Sequence, residues 1–486
     1  MENLVQIAMQ NVNLAAILPS LVLCCFGMVL LLVSVFSKRG RTTHIAWMSI
    51  IALAVTALVT ISGWNHPQQG FAGSVVLDNF ANFFTIIFII AAALTILISD
   101  AYLQREGYPV GEYYPLILFS TAGAMWMASG TDLMTIFLGL EVLSVALYVL
   151  AGFFRNDVRS NEAGLKYFFL GAFSTGFLLY GAALLYGVTG STKIAVIAQQ
   201  LSQLPNAATN PMMLAGAFLL LVGFLFKVAI APFHMWTPDV YQGAPTPVTA
   251  FMSAAPKAAG FAALLRITMI SLETIQLDIS ALFWILAVLT MIAGNFIALS
   301  QTNIKRMLAY SSIAHAGYAL VGVVAWNQVG MSAILFYMLV YTFMNIGAFA
   351  VLVLAGKKGE ENLTLEGFSG FGYKRPFLGV AMCIFLFALM GIPPTAGFTG
   401  KFFVFAGAVK AGYIWLAVIG VLNSAVSLYY YLRVIVYMYF RDPKEDFAWV
   451  KLEIPAVVSI VLAIAGVLIL GILPGPVMEL AKMAGF

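Results

Sequence analysis

The sequence predicts an all-α, polytopic membrane protein of about fourteen transmembrane helices, built as inverted repeats in which two helices are broken. Three observations carry this. Of 486 residues, 62% are hydrophobic and 9% charged, whereas a soluble domain runs at about a quarter charged. Apolar stretches of about twenty residues recur along the chain, the length at which a helix rising 1.5 Å per residue crosses about 30 Å of hydrocarbon. Two of the stretches are too long for one span and contain helix breakers.

In chain order the spans fall at 14–36, 44–63, 80–103, 113–129, 132–153, 163–188, 212–242, 246–269, 281–300, 305–325, 330–355, 376–411, 413–438 and 454–473. The first is too long for a cleavable signal and is expected to stay in the mature protein. The seventh carries Pro232, with Pro238 beyond it, and the twelfth carries Gly391-Ile392-Pro393-Pro394-Thr395-Ala396-Gly397. Proline removes a helix hydrogen bond and clashes with the preceding turn, so both helices are expected to be interrupted at membrane depth. Two broken spans five positions apart in the order of spans is the pattern of an inverted repeat. It divides the chain into a three-helix segment (1–110), a first repeat of spans 4–8 (111–272), a second of spans 9–13 (273–440) and a C-terminal span (441–486).

The basic residues give an orientation. With the N-terminus outside, sixteen of the 24 Lys and Arg lie in cytoplasmic loops: Lys38, Arg39, Arg41, Arg105, Arg155, Arg159, Lys305, Arg306, Lys357, Lys358, Lys374, Arg375, Arg433, Arg441, Lys444 and Lys451. Lys193, Arg266, Lys410 and Lys482 lie outside. This asymmetry predicts both termini outside. Cys24, Cys25 and Cys383 sit in apolar runs with no CxxC pair and no Cys/His spacing. Metal and redox-centre chemistry is therefore not expected of this chain, nor is nucleic acid.

Lys166, Lys227, Lys257 and Lys401 remain, inside spans. At 1.5 Å per residue, Glu141 and His315 lie roughly 15 Å into their spans, Lys257 roughly 17 Å and Lys227 roughly 22 Å. Lys401 follows the second break closely, so it too falls near mid-depth, while Lys166 is only some 10 Å in. A charge at the bilayer centre costs about 2.5–3.5 kcal/mol on insertion scales, so such a set points to use. Titratable groups spaced for water to bridge, one of them with a partner that moves, can pass protons. Glu141 with Lys166 or Lys227 is the candidate switch, and Lys227, Lys257, His315 and Lys401 the lateral relay.

Plainer readings stand beside these. Glu141 with a lysine can be a static ion pair, Lys166 a stem snorkelling to the membrane surface, and His315 a hydrogen-bonded core histidine. Lys305 beside Arg306 can be a positive flank. Asp132 reads as a helix cap. For His234 and Asp239, beyond the first break, a proton-loading role and a structural role are both open. Tyr429-Tyr430-Tyr431 reads as an interfacial belt rather than a quinone site.

The run from Lys227 through Pro232-Phe233-His234-Met235-Trp236-Thr237-Pro238-Asp239-Val240-Tyr241-Gln242-Gly243-Ala244-Pro245-Thr246-Pro247-Val248 to Lys257 closely resembles the N-type antiporter-like membrane subunits of proton-pumping NADH-quinone oxidoreductase, respiratory complex I. So do Phe137-Leu138-Gly139-Leu140-Glu141, the run from Ala298 to His315, Gly391-Ile392-Pro393-Pro394 and Gly400-Lys401-Phe402. The resemblance spans essentially the whole chain. It implies an antiporter-like fold and a proton channel without a redox group, the complex holding its FMN, iron-sulfur clusters and quinone elsewhere. It also implies Glu141 and Lys227 as switch pair, Lys257 as central lysine and Lys401 as exit-side lysine, with Lys166 and Lys305 at further lysine positions. Expected partners are the M-, L-, K-, J- and A-type subunits and those of the quinone site, in a bacterial inner membrane by default. L- and M-type chains differ around the first break, and the L type continues into a lateral helix, for which the residues after Pro474 leave no room. A cation/proton antiporter subunit is the alternative function, and a passive scaffold a third that leaves the buried lysines unexplained.

Overall fold

A computed structural model describes residues 12–37, 42–204, 207–360, 363–443 and 452–486. Lys38, Arg39, Arg41, Lys444 and Lys451 lie outside the described residues. The described chain is mostly helical: α1 Leu18–Phe36, α2 Thr43–Ser62, α3 Asn79–Glu106, α4 Tyr113–Ser129, α5 Leu133–Ala151, α6 Val158–Thr189, α7 Ile194–Gln203, α8 Pro211–Lys227, α9 Trp236–Gly243, α10 Thr246–Arg266, α11 Gln276–Ser300, α12 Ile304–Val324, α13 Gln328–Ala355, α14 Phe371–Lys374, α15 Pro376–Met390, α16 Ala396–Lys410, α17 Ile414–Phe440, α18 Ile454–Ile472 and α19 Gly475–Ala484. Among the described residues eleven helices are long and apolar enough to cross a membrane. The others standing where the sequence places spans are the 17-residue α4 and the four shorter helices flanking the two proline-rich interruptions, α8 with α9 and α15 with α16.

Local chemistry sets the helix ends. Asp78, Asp132, Asp157, Asn210, Asn303 and Asn327 each accept a backbone N–H in the first turn of the following helix, satisfying donors that have no partner inside it. Asp132 is thus the cap that the sequence indicates. Pro19, Pro211, Pro376, Pro455 and Pro476 stand in first turns, where no N–H is missed. Arg375, held out of the helical region by Pro376 (φ −135°, ψ 69°), turns the chain by 115° into α15. A two-stranded antiparallel ribbon, β1 Gln68–Gly70 and β2 Val75–Leu77, closes one end of the bundle.

The core is formed by α10, α12 and α13, buried almost throughout, with α3 beside them. Around them α1, α2, α5, α6, α11, α17 and α18 bury half or less of their apolar windows. Two of the core three, α10 and α12, are the least apolar of the eleven spans, and polar Thr249, Ser253, Lys257, Ser311, Ser312, His315, Thr342 and Asn345 all come from the core three. Helices that never meet lipid can carry polar side chains, provided that these find partners.

Two sequence expectations are corrected here. Arg266, placed among the outside basic residues, is no free loop charge: it is buried and grips the Asp78 carboxylate through both terminal nitrogens, at 2.9 and 3.0 Å. Its Nε donates to the Ala128 carbonyl at 3.0 Å. The tyrosine run is no uniform belt. Tyr429 is exposed, but Tyr430 and Tyr431 are fully buried, because consecutive residues on a helix point about 100° apart.

Candidate functional site

The first interruption follows from its sequence. Helix α8 stops at Lys227, Ala229 takes a left-handed conformation (φ 62°), and the Ala231-Pro232 bond is cis. The Phe226 carbonyl accepts from the Ala229 N–H at 3.1 Å and from the Trp236 indole N–H at 3.0 Å, and the Ala231 N–H donates to Thr290 Oγ1 at 3.0 Å. With the helix end satisfied in this way, the buried Lys227 ammonium turns inward. It donates to Ser144 Oγ at 2.8 Å and Tyr167 Oη at 3.1 Å, 5.4 Å from the Tyr167 ring centre. A small cavity lined by Leu140, Ser144, Tyr148, Gly171, Thr175 and Lys227 adjoins it.

Glu141 precedes Ser144 by three residues on α5, hence on the same face. Its charge bears on Lys227 and on Tyr148, yet among the described residues its Oε1 is buried without a hydrogen-bond partner. The expected Glu141 ion pair with Lys166 or Lys227 is therefore not formed. Lys166, 40% exposed in this chain, instead pairs with Glu162 one turn back and with Asp239 on α9, both at 2.7 Å.

Lys257 lies mid-way along α10, immediately after Pro256. That proline cannot donate to the Met252 carbonyl, and Tyr241 of α9 supplies the missing hydrogen bond at 3.2 Å. The Lys257 ammonium donates to the Ser312 carbonyl at 2.5 Å and to its hydroxyl, and lies 5.6 Å from the centre of the Tyr341 ring. One turn along α12, His315 places Nδ1 2.6 Å from Tyr337 Oη and Nε2 3.3 Å from Tyr431 Oη, and Tyr431 bonds Ser311. The His315 ring packs against Tyr341, whose ring faces Lys257, and against Tyr318, whose ring faces Lys401, so it stands between the two lysines.

At the second interruption the roles of lysine and helix end are exchanged. Helix α15 stops at Gly391 (φ 85°), where a side chain is disfavoured, and α16 starts at Ala396. Lys401 reaches back from α16 to the Leu389 and Met390 carbonyls, each at 3.0 Å, and to Ser424 Oγ at 2.8 Å. It lies 4.7 Å from the Tyr318 ring centre. A cation on a helix C-terminus is favourably placed.

Near the end of the bundle where α9 lies, Asp239 is shared: Lys166 of α6 and Arg306 of α12 both pair with it, at 2.7 and 2.8 Å. Lys305 is buried and donates to the Ala244 carbonyl, the C-cap of α9, at 2.5 Å. It is no exposed flank. His234, in the first interruption, keeps Nδ1 buried with no partner among the described residues. Lys227, Lys257, His315 and Lys401 thus each sit in a polar pocket within one bundle, whereas Lys166, Lys305 and Asp239 form a separate cluster around α9.

Of the hydroxyl and amide partners, sequence alone marks none of Ser144, Tyr167, Ser312, Tyr337, Ser424 and Asn295, and it assigns Tyr431 to a belt. Asn295 joins Tyr430 at 3.0 Å to Tyr318 at 3.1 Å. A signal was present: Ser144 is three residues from Glu141, and Ser311 and Ser312 lie one turn from His315.

A family model described as NADH:quinone oxidoreductase/Mrp antiporter, transmembrane, matches residues 130–427. A curated NADH-quinone oxidoreductase subunit N of Trichlorobacter lovleyi is 60% identical over 475 residues, covering 98% of this chain and 97% of that one. Among solved structures, a chain of respiratory complex I from Thermus thermophilus with bound aureothin superposes with TM-score 0.81 at 36% identity, over 96% of this chain and 100% of its own. A chain of the Mrp complex from a Dietzia species gives 0.82 at 22% identity over 97% and 96%, a likeness of fold alone.

Proposed function

The chain belongs to the NADH:quinone oxidoreductase/Mrp antiporter family, and from that membership we propose a proton path through its buried lysines. It is a subunit N of NADH-quinone oxidoreductase, a subunit of the H+-translocating complex I membrane arm. Quinone reduction elsewhere in the complex supplies the energy, and this chain carries protons. No cofactor is assigned to it. Its partners are the other subunits of the complex: M-, L-, K-, J- and A-type chains and those of the quinone site.

One observation carries the path. Lys227, Lys257 and Lys401 are at most 5% exposed, and among the described residues none makes an ion pair; each ammonium ends on hydroxyls or backbone carbonyls. Neutral acceptors compensate a buried charge less fully than a carboxylate does. Such a lysine can give up its proton to a neighbour without breaking an ion pair, and His315 stands between two of them. Glu141, unpaired beside Lys227, is the group whose approach changes that balance.

In this reading α8 with α9 and α15 with α16 are the two broken spans, completing fourteen with α4. Segments 111–272 and 273–440 are the inverted repeats, between a three-helix segment (1–110) and a last span (441–486). Both termini lie on the outer side of a bacterial inner membrane. The α9 cluster, with Lys166, His234, Asp239 and Lys305, lies at the cytoplasmic, proton-loading end. The cation/proton antiporter reading rests on a fold shared at 22% identity and is the weaker.

The test is quinone reduction and proton pumping measured together in membranes carrying Lys227→Ala, with assembly of the complex verified. Lost pumping in an assembled complex is the expected result. Normal pumping overturns the reading and leaves Lys227 a structural charge.

A further inference from the structure

Helix α13 is apolar and buried almost throughout, and among the described residues two of its side chains, Tyr341 and Asn345, hold buried polar atoms that find no partner. Asn345 is fully buried, and among the described residues neither its amide nitrogen nor its amide oxygen makes a hydrogen bond. Exchanging the two atoms does not alter this, since both are unpaired. An unpaired buried amide opposes folding, and an apolar side chain of the same size would pack there at no such cost. Nothing in the packing of α13 explains an asparagine.

The neighbouring turns do. Tyr337, Tyr341 and Asn345 recur every fourth residue and so share one face of α13. Tyr337 bonds His315, and the Tyr341 ring faces both His315, 5.2 Å away between ring centres, and the Lys257 ammonium. Asn345 continues that face by one turn beyond the level of Lys257. The direction is fixed: Thr246, at the start of α10, donates to Tyr102 of α3 at 3.2 Å, and Arg105 of α3 donates to Val353 near the end of α13 at 2.7 Å. Helices α10 and α13, which pack together, therefore run antiparallel. Ser253, one turn before Lys257, lies at the level of Asn345, and Thr249 one turn further out; both are fully buried. Their hydroxyls donate to backbone carbonyls, which leaves oxygen lone pairs free. Two facing polar stripes thus leave Lys257 towards the end where Lys305 and α9 lie.

We propose that Asn345 is a water-holding residue of the proton path, bound to the water that connects Lys257 with the α9 end of the bundle. An amide suits the task, because it donates and accepts at once and has no titration of its own. The residue positions water and is not itself a proton carrier. This rests on the reading of Lys257 as a proton-bearing group.

The test uses the near-isosteric pair Asn345→Thr and Asn345→Val, with Asn345→Leu and Lys227→Ala alongside, all in the assembled complex in native membranes. Protons pumped per quinone reduced, and the solvent isotope effect on pumping, are read for each. Asn345→Thr is expected to stay within about two-fold of the parent and Asn345→Val to fall about ten-fold or more, with a larger isotope effect, and Asn345→Leu to assemble at least as well as the parent. Equal behaviour of the Thr and Val variants, including equal failure to assemble, overturns the proposal, since only packing would then be at stake. If Lys227→Ala loses pumping while Asn345→Val retains it, this proposal alone fails. If Lys227→Ala pumps normally, the underlying reading fails with it.

Discussion

The Trp236 indole lies flat against the Tyr167 phenol, ring centres 4.6 Å apart and planes 8° from parallel. Trp236 opens α9 beyond the first interruption, and Tyr167 holds the Lys227 ammonium. The stack therefore ties the second half of the broken element to the lysine that ends the first half. Tyr167→Phe keeps the stack and removes only the acceptor. A hydrogen bond to a charged group is worth about 1.5–3 kcal/mol, so proton pumping by the assembled complex is expected to fall about ten-fold or more. Trp236→Ala, which removes the ring stacked on Tyr167 and one of the donors to the Phe226 carbonyl, is expected to impair assembly as well. Unchanged pumping in Tyr167→Phe would remove the hydroxyl from the path.

Asp239 is gripped from two sides by Lys166 and Arg306, and neighbouring residues of α6 hold α9 twice, Lys166 by charge and Tyr167 by stacking. The Lys166–Asp239 pair is 40% and 37% exposed, so its worth to stability is only about 0–1 kcal/mol. Asp239→Asn is accordingly expected to leave the thermal stability of the complex within about 2 °C of the parent. Pumping is expected to drop several-fold, because α9 loses the charge that fixes it beside Tyr167. A stability loss as large as the pumping loss would mark Asp239 as structural only.

A glycine contrast on α6 tests how closely Tyr148 is confined. A Cβ at Gly171 would lie 2.1 Å from Tyr148 Oη, whereas one at Gly176 meets nothing within 4 Å. The Tyr148 ring packs edge-on against Tyr167, with centres 4.9 Å apart. Gly171→Ala is expected to cost about 1–3 kcal/mol through overpacking and to lower pumping by displacing Tyr167. Gly176→Ala should be neutral or stabilising by up to about 1 kcal/mol, the helix preference of alanine over glycine. Thermal unfolding of the purified complex, read beside pumping, separates the two.

Arg266 and Asp78 form a bidentate pair whose Arg266 side chain is only 3% exposed. Asp78 also caps α3 through the Ala81 N–H. Removing one partner of a buried pair leaves the other charge uncompensated, at about 3–5 kcal/mol, and the lost cap adds about 1 kcal/mol. Asp78→Ala is expected to abolish assembly, seen as loss of the subunit from membranes. Normal assembly would show that Arg266 finds other partners.

The sequence and the structure diverge where helix position and pairing decide. The apolar runs and the proline interruptions are legible because bilayer thickness and missing backbone donors act on every residue alike. The buried lysines are legible because charge in an apolar run is rare. Sequence alone places Arg266 outside with the other basic residues, because a span boundary cannot show that the start of α3 carries Asp78 beside it. Tyr430 and Tyr431 were read with Tyr429 because composition ignores the 100° step between neighbours. The Glu141 pairing failed for a different reason: its depth matches that of Lys227, but Ser144 and Tyr167 take the ammonium first.

Lys401 separates a structural from a proton-carrying role. Its ammonium donates to the last two carbonyls of α15, left without backbone partners by the interruption, Met390 accepting from Ser424 Oγ as well, so the same side chain that is proposed to carry a proton also caps a helix. Lys401→Ala removes both functions and is expected to reduce assembly and pumping together, which by itself decides nothing. Lys401→Arg is decisive. Guanidinium retains donors for the Leu389 and Met390 carbonyls but stays protonated at any working pH. A capping role alone predicts an assembled complex that pumps normally. The relay predicts an assembled complex with pumping reduced at least ten-fold, because a group that never releases its proton cannot pass one on.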